Sequence, residues 1–257
     1  MTAVRVTKCS QRFGSRTIFR DVSFEVAEKE VFVILGGSGC GKSTLMNQLI
    51  GLLPPSEGEI EVLGHVITGL EGAAGRHAMQ RRIGVMFQSG ALFGSMTLLE
   101  NIMLPLEMLT DLPPEGREAV ARVKLGLVGL GHATALMPAE ISGGMARRAG
   151  IARAMALDPP LLFLDEPSAG LDPITSAELD KLILDLRDDL GTTFVVVTHE
   201  LASILAIADR CIMLDRNAYP DAGGTIAEGN PRTLRDEDTH KMVRAFFRRE
   251  IPQIEPV

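Results

Sequence analysis

Gly36-Gly37-Ser38-Gly39-Cys40-Gly41-Lys42-Ser43 is the stretch whose reading decides the fold. It fits the phosphate-binding pattern G-x-x-x-x-G-K-[ST]. Val31 to Leu35, just before it, is an apolar run of strand length. Ser43 to Leu53, just after it, reads as a helix with Leu45, Leu49, Ile50 and Leu53 at helical spacing. Strand, glycine loop and helix in that order aim backbone N–H groups at a polyphosphate. Glycine lets the backbone adopt unusual dihedrals and approach a ligand closely. The helix N-terminus adds partial positive charge. Lys42 is expected to reach the β- and γ-phosphates and the Ser43 hydroxyl to take a place on Mg²⁺. With Thr44, these residues form the expected nucleotide-binding set of the loop.

On the N-terminal side, Val4-Arg5-Val6-Thr7 and Val22-Ser23-Phe24-Glu25-Val26 alternate and read as half-buried antiparallel strands. Phe13 lies between them in the polar turn Gln11-Arg12-Phe13-Gly14-Ser15. An aromatic there can plug a core, but upstream of a phosphate loop it is expected to stack on adenine. On the C-terminal side, Glu59 to Leu63 alternates as another strand after the turn Pro54-Pro55-Ser56-Glu57-Gly58. Ile83-Gly84-Val85-Met86-Phe87 is a further strand and ends on Gln88, where ligands bind in open α/β sheets. A helical section follows, with helix-breaking punctuation at Pro105, Pro113 and Pro114. Its first part, Ala91 to Leu99, is unusually apolar for a connection and suits either internal packing or a partner's docking surface.

Ile141-Ser142-Gly143-Gly144-Met145 precedes an Ala/Arg-rich helix running to about Leu157. Ser142 suits an N-cap, and two glycines at a helix start make either an ordinary capped helix or a second anion-facing site. Leu161 to Leu164 is a fully apolar strand ending in Asp165-Glu166. Adjacent carboxylates at such a strand end are poor structural choices unless they handle metal and water. Asp165 is expected to hold Mg²⁺ through its water shell, and Glu166 to polarise the attacking water. Ser168-Ala169-Gly170-Leu171-Asp172-Pro173 turns into an amphipathic helix with Leu179, Leu182, Ile183, Leu186 and Leu190 on one face. Phe194 to Val197 is one more buried strand, and of five histidines His199 alone sits at such a strand end.

The length of 257 residues fits one large α/β domain or a core with an inserted subdomain. Aromatics are 4% of a chain that is 46% hydrophobic, so the core must be aliphatic. A net charge of −7 disfavours a general nucleic-acid binder. No apolar run approaches membrane-spanning length, and the start MTAVRVTKCS does not read as a signal peptide. Cys9, Cys40 and Cys211 are odd in number and unpatterned, which suits a reducing cytoplasm.

Taken as an ordered set, the phosphate loop, Gln88, Ile141 to Met145, the Asp165-Glu166 strand, Ser168 to Asp172 and His199 resemble the nucleotide-binding domain of ABC transporters. The resemblance runs from about residue 4 to 235. It implies an α/β fold: a P-loop NTPase (RecA-like) core with an N-terminal antiparallel β subdomain and an inserted helical subdomain. The ATPase domain would span 1–235, the helical subdomain about 90–158, and a C-terminal extension 236–257. It also implies a head-to-tail dimer of two copies sandwiching two ATP molecules, in which Ser142, Gly143 and Gly144 contact the γ-phosphate held by the loop of the other subunit. Phe13 falls at the family's adenine-stacking aromatic and Gln88 at its Mg²⁺- and water-contacting glutamine. His199 falls at its γ-phosphate-contacting switch histidine, and Asp172 at the aspartate that crosses the dimer interface. Most members read Leu-Ser-Gly-Gly-Gln. Here Ile141 and Met145 replace the first and last positions, so the side-chain hydrogen bond of Gln is not available.

Phe87 to Phe93 and Ser142 to Arg148 further resemble ATPases of MCE-type lipid transporters, which maintain outer-membrane lipid asymmetry. That likeness implies an integral-membrane permease, a periplasmic MCE-domain carrier, a small STAS-domain protein, and a place on the cytoplasmic face of the inner membrane. Phospholipid transport is the leading expectation. A transporter of another solute, a soluble ABC ATPase acting on ribosomes or DNA, and a regulatory module without turnover are the alternatives. The single cassette and acidic balance oppose the second of these, and intact Lys42, Asp165, Glu166 and His199 oppose the third.

Overall fold

The structure, a computed structural model, describes residues 1–67, 79, 81–237 and 240–250. Its strands are β1 (Thr2–Phe13), β2 (Arg16–Ala27), β3 (Val31–Gly36), β4 (Glu57–Val62), β5 (His65–Val66), β6 (Ile83–Met86), β7 (Leu161–Asp165), β8 (Thr193–Val197), β9 (Arg210–Tyr219) and β10 (Ala222–Gly229). Its helices are α1 (Lys42–Leu49), α2 (Leu98–Leu109), α3 (Pro114–Leu127), α4 (Gly143–Ala154), α5 (Pro173–Leu190), α6 (Leu201–Ile207), α7 (Pro231–Glu237) and α8 (Lys241–Arg248).

Among the described residues the strands form one sheet in the order β5-β4-β1-β2-β10-β9-β3-β8-β7-β6. Strands β9, β3, β8, β7 and β6 are parallel neighbours. β4 and β5, β4 and β1, β1 and β2, and β9 and β10 pair antiparallel. The expected N-terminal strands pair as read, with Val4 opposite Val26 and Val6 opposite Phe24. Helices α2 to α4 fall between β6 and β7 in the chain. The anticipated architecture is thus observed: a parallel core, an antiparallel N-terminal part and a helical insertion.

The parallel strands are apolar on both faces because both are covered. Val31, Val33 and Leu35 of β3 join a cluster with helices α2 to α6, while Phe32 and Ile34 join one with α1 and the antiparallel strands. Leu162 and Leu164 of β7 face the first cluster, Leu161 and Phe163 the second. A sheet sealed this way leaves one natural place for polar chemistry, the carboxyl ends of its parallel strands.

Three expectations need correction. The helix after the glycine loop ends at Leu49, not Leu53. Gly51, at φ 75°, turns the chain out of it, and Leu53 sits half-buried in the turn. Leu190, the last residue of α5, is 47% exposed rather than part of the buried face. Pro105 does not break a helix. α2 runs through it, held at its start by a capping box in which Thr97 Oγ1 accepts from Glu100 N and Glu100 accepts from Thr97 N. Pro113 and Pro114 do act as expected, standing at the N-cap and first turn of α3.

Candidate active site

Four of the parallel strands end at one edge, and each end leads into a residue singled out from sequence. β3 leads into the glycine loop and β7 ends at Asp165 before Glu166. β8 is followed by Thr198 and His199, and β6 by Phe87 and Gln88.

The loop depends on glycine at two points. An added Cβ on Gly36 would lie 2.2 Å from the Leu214 carbonyl oxygen. One on Gly41, whose φ is 102°, would lie 2.7 Å from the Phe19 ring. Gly41 therefore N-caps α1 in a conformation closed to ordinary side chains, and it supplies no side-chain cap. Lys42 Nζ donates to the carbonyls of Gly36 at 2.8 Å and Gly37 at 3.2 Å, so the cation bridges back across the loop. The contact with Phe19 and Ile18 places β2 against the loop. The same hairpin carries Phe13, which pairs with Arg16 and is 50% exposed, a ring open to stacking. Cys40 differs from its neighbours, since its thiol is buried within the apolar cluster beneath the loop and burial raises its pKa. Its side chain thus points away from the loop's open side.

The carboxylates come next. Burial raises the Asp165 pKa, the neighbouring Glu166 raises it further, and Lys42 opposes both. Asp165 and Lys42 are therefore electrostatic neighbours across β7 and the loop. Glu166 has φ 47°, a sparsely populated region for a long side chain, which re-aims the chain as it leaves the strand. Its N–H donates to the Val197 carbonyl at 2.8 Å, tying the strained residue to β8. Its Oε1 lies 2.7 Å from His199 Nδ1. A carboxylate only accepts, so Nδ1 carries the hydrogen. Glu166 Oε2 is buried and has no hydrogen-bond partner among the described residues. An unpartnered buried carboxylate oxygen is costly unless a ligand, cation or water uses it. The Thr198 hydroxyl accepts from Glu200 N at 3.1 Å and shapes the turn that presents His199.

Gln88 opens a short 3-10 turn to Gly90 and is exposed. That turn is clasped to α4. An added Cβ on Gly90 would lie 2.6 Å from the Ala146 carbonyl oxygen, and one on Gly150 would lie 2.9 Å from the Gly90 Cα. Arg153 donates to the carbonyls of Gly90 at 3.1 Å and Ala91 at 2.9 Å, and its guanidinium lies 5.6 Å from the Phe93 ring centroid. The question left open for Ala91 to Leu99 divides. Leu98 is fully buried, whereas Phe93 is 50% exposed at the rim of a cavity of about 280 Å³. Ile83, Val85, Leu104, Met108 and Arg153 are among its other lining residues.

Ser142 caps α4, its Oγ accepting from Met145 N at 3.2 Å. Gly143 lies against Leu171, and Gly144 packs so tightly on Thr175 that a Cβ would lie 2.4 Å from its methyl group. Asp172 caps α5, with Oδ1 accepting from the amides of Ile174 at 3.1 Å and Thr175 at 3.0 Å. The structure thus brings Lys42, Asp165, Glu166 and His199 together. Ser142 to Gly144 and Asp172 form a second group, and among the described residues no hydrogen bond joins it to the glycine loop. The reading from sequence missed Arg153, and also Arg147, whose Nη2 reaches the Ala169 carbonyl at 3.1 Å. It missed Asp180 and Ser203 as well; both are buried polar residues on faces otherwise apolar. Helical spacing of Asp180 from Ser176 and Ile183 was the available signal.

Residues 19–169 match the family described as "ABC transporter". The chain is 41% identical over 219 residues to the intermembrane phospholipid transport system ATP-binding protein MlaF of Escherichia coli strain K12, covering 85% of this chain and 81% of that one. It is also 41% identical over 214 residues to the probable ribonucleotide transport ATP-binding protein mkl of Mycobacterium leprae, covering 83% of this chain and 61% of that one. In three dimensions it is similar to the ATP-binding cassette MJ0796 in a dimeric, post-hydrolysis state bound to ADP and Pi, with a TM-score of 0.78 and 29% identity over 88% of this chain and 98% of that one. Among the described residues no helix is long and apolar enough to cross a membrane. With motif order, fold and relatives in agreement, the chain belongs to the ABC transporter family, as an ATP-binding, ATP-hydrolysing subunit.

Proposed function

We propose that this chain is the motor subunit of a transporter that moves phospholipid between the inner and outer membranes, working as a head-to-tail dimer on the cytoplasmic face of the inner membrane. The observation that carries the hydrolytic part is Glu166, strained at φ 47°, with one oxygen on His199 and the other buried with no partner among the described residues. The lipid part rests on the likeness to MlaF.

The residues fit ATP and Mg²⁺. Glycines 36 and 41 allow close approach, Lys42 supplies a cation, and two adjacent carboxylates stand where a divalent cation would offset their repulsion. Asp165, Ser43 and Gln88 would hold Mg²⁺, which when bound neutralises charge on the transferred phosphate. The loop from Gly36 to Thr44 orients the phosphates. Phe13 stacks on adenine. Glu166 accepts the proton of the attacking water, and His199 holds Glu166 in place through Nδ1 while presenting its far edge to the γ-phosphate. Ser142, Gly143, Gly144 and Asp172 serve the partner copy's nucleotide. Their separation from the glycine loop within one chain supports a composite site. The Phe93 cavity suits a short permease helix, and a STAS-domain protein and a periplasmic MCE-domain carrier complete the expected assembly.

The relative described as a probable ribonucleotide transporter favours a second reading, a different solute. The complex isolated from mild-detergent membranes and reconstituted into vesicles decides between them. ATP-dependent movement of labelled phospholipid is expected. Movement or ATPase stimulation by ribonucleotide alone would overturn the lipid reading. Recovery of the chain with ribosomes or DNA instead of a permease would overturn the transport reading.

A further inference from the structure

The tip of the β1–β2 hairpin, which carries Phe13, reaches past the neighbouring strand. β1 pairs with β4 only as far as Ser10, opposite Glu57. Beyond it Gln11, Arg12 and Phe13 pair with Phe19, Thr17 and Arg16 of β2, and the register shifts on both sides of Gln11. Two strands alone are marginally stable. Side chains hold this pair. Gln48 Nε2, on α1, donates to Gln11 Oε1 at 2.7 Å, and Gln11 Nε2 donates to the Arg12 carbonyl at 3.2 Å. Arg12 N donates to Ser56 Oγ at 3.0 Å. Both backbone groups of Arg12 are thus taken up by side chains, one of them through Gln48. Gln48 is 1% exposed and Gln11 4%. The bonds therefore run from the helix that opens with Lys42 to the residue before Phe13.

Donor accounting fixes both amides. A carbonyl only accepts, so the Gln11 nitrogen faces Arg12 and its oxygen is left for Gln48. Gln48 must then present its nitrogen, because turning it over would set two oxygens against each other. That leaves Gln48 Oε1 buried with no hydrogen-bond partner among the described residues. An unsatisfied buried acceptor costs stability, and two apolar side chains in the same space would avoid that cost. Core packing alone therefore gives no account of the pair. What the pair adds is a directional link between two places that a nucleotide must span, the glycine loop and the ring at the hairpin tip. Phe19 against Gly41 sets the root of the hairpin, and Gln48 sets its tip.

We propose that Gln48 is a positioning residue for ATP binding: through Gln11 and the Arg12 carbonyl it fixes the hairpin tip, so that Phe13 meets adenine while the phosphates sit on the loop ahead of α1. The inference rests on the reading of Phe13 as the adenine-stacking ring. Gln48 is buried and acts through Phe13.

Steady-state ATP hydrolysis by the full chain, with inorganic tripolyphosphate as competitor, tests it. Tripolyphosphate can occupy the glycine loop and has no base to stack. Gln48→Met keeps the length of the side chain and removes the donor. It is expected to raise KM for ATP roughly three- to tenfold, a part of the roughly five- to hundredfold that a base on an aromatic ring contributes. The kcat and the inhibition constant of tripolyphosphate should stay at wild-type values. In a Phe13→Ala background, Gln48→Met should cost nothing further, because the ring it positions is gone. Equal losses in both backgrounds would overturn the inference, as would an unchanged KM. Tripolyphosphate weakened as much as ATP would overturn it too, since Gln48 would then act on the loop and not on the ring. If Gln48→Met does not fold, the paired variant Gln11→Leu with Gln48→Leu carries the test, because it leaves neither amide unpaired. It must raise KM for ATP at constant kcat and constant tripolyphosphate inhibition, and a wild-type KM would overturn the proposal. A raised KM from Phe13→Ala with none from Gln48→Met removes the positioning role alone. No change from Phe13→Ala removes the stacking reading, and the inference with it.

Discussion

Two passages from strand to helix face each other across this site, and they treat the helix start in opposite ways. The passage from β3 to α1 has no side-chain cap and no acidic residue in its first turn, and Gly41 lies at its N-cap. The passage from β7 to α5 carries Asp165 and Glu166, and its helix amides are taken up by Asp172. Free helix amides cost stability unless something outside the chain accepts from them. The first passage is therefore built to receive an anion, and the second to satisfy itself while presenting carboxylates. Binding and reaction are assigned to different loops, so each can be broken alone.

The largest effect is expected on the second passage. Glu166→Gln removes the base and preserves shape, so hydrolysis should fall about 10²–10⁴-fold while ATP stays bound. A turnover rate within a factor of two of wild type would end the assignment. On the first passage, Lys42→Ala removes a charge-assisted donor worth about 1.5–3 kcal/mol, a loss of roughly ten- to a hundredfold in ATP affinity. Calorimetric titration with ATP and Mg²⁺ measures this, and an unchanged constant would mean the loop does not bind as argued.

Asp172→Ala sharpens the comparison, because it makes α5 start like α1. The Thr175 hydroxyl and the helix amides hold the Asp172 carboxyl below its ordinary 3.8. A depressed native pKa means that the stabilisation is present above the unfolded value and is lost as pH falls through the native one. The variant should therefore melt lower than wild type at pH 7, with the gap closing below pH 3.8. A gap that stays constant through that range would show that the cap contributes nothing as a carboxylate. The smallest effect is expected at Cys40. Cys40 as a residue is 1% exposed, so Cys40→Ser should retain near-normal hydrolysis, and native-state alkylation should be slow with or without ATP. Rapid labelling that ATP suppresses would place the thiol on the ligand side after all.

The residues that make these passages were legible because their signals are local. A glycine loop between an apolar run and a helix reads the same in any context, and so does a pair of carboxylates closing four apolar residues. Signals that depend on distant neighbours were not legible. Residues 222–229, Ala-Gly-Gly-Thr-Ile-Ala-Glu-Gly, form β10 although glycine disfavours strands; the strand is held by β9 on one side and by the Gly223–Phe19 pair on the other. Pro105 survives inside α2 because the helix is fixed by its cap and by the packing of Leu98, Ile102 and Leu106 on the core. Ser168 and Ser203 lie 35 residues apart, and only the fold brings their hydroxyls to 3.3 Å.

The clasp between the Gln88 turn and α4 bears on how this chain can drift over generations. Gly150 has no room for a methyl group against Gly90, nor Gly90 against the Ala146 carbonyl, and Arg153 pins the carbonyls of Gly90 and Ala91. A joint without slack transmits small displacements in full, so a shift of Gln88 is delivered to Phe93 rather than absorbed between them. The same tightness makes the joint unforgiving. A side chain gained at Gly150 must displace the backbone of Gly90, and one gained at Gly90 must displace the Ala146 carbonyl, so viable variants should leave both glycines alone.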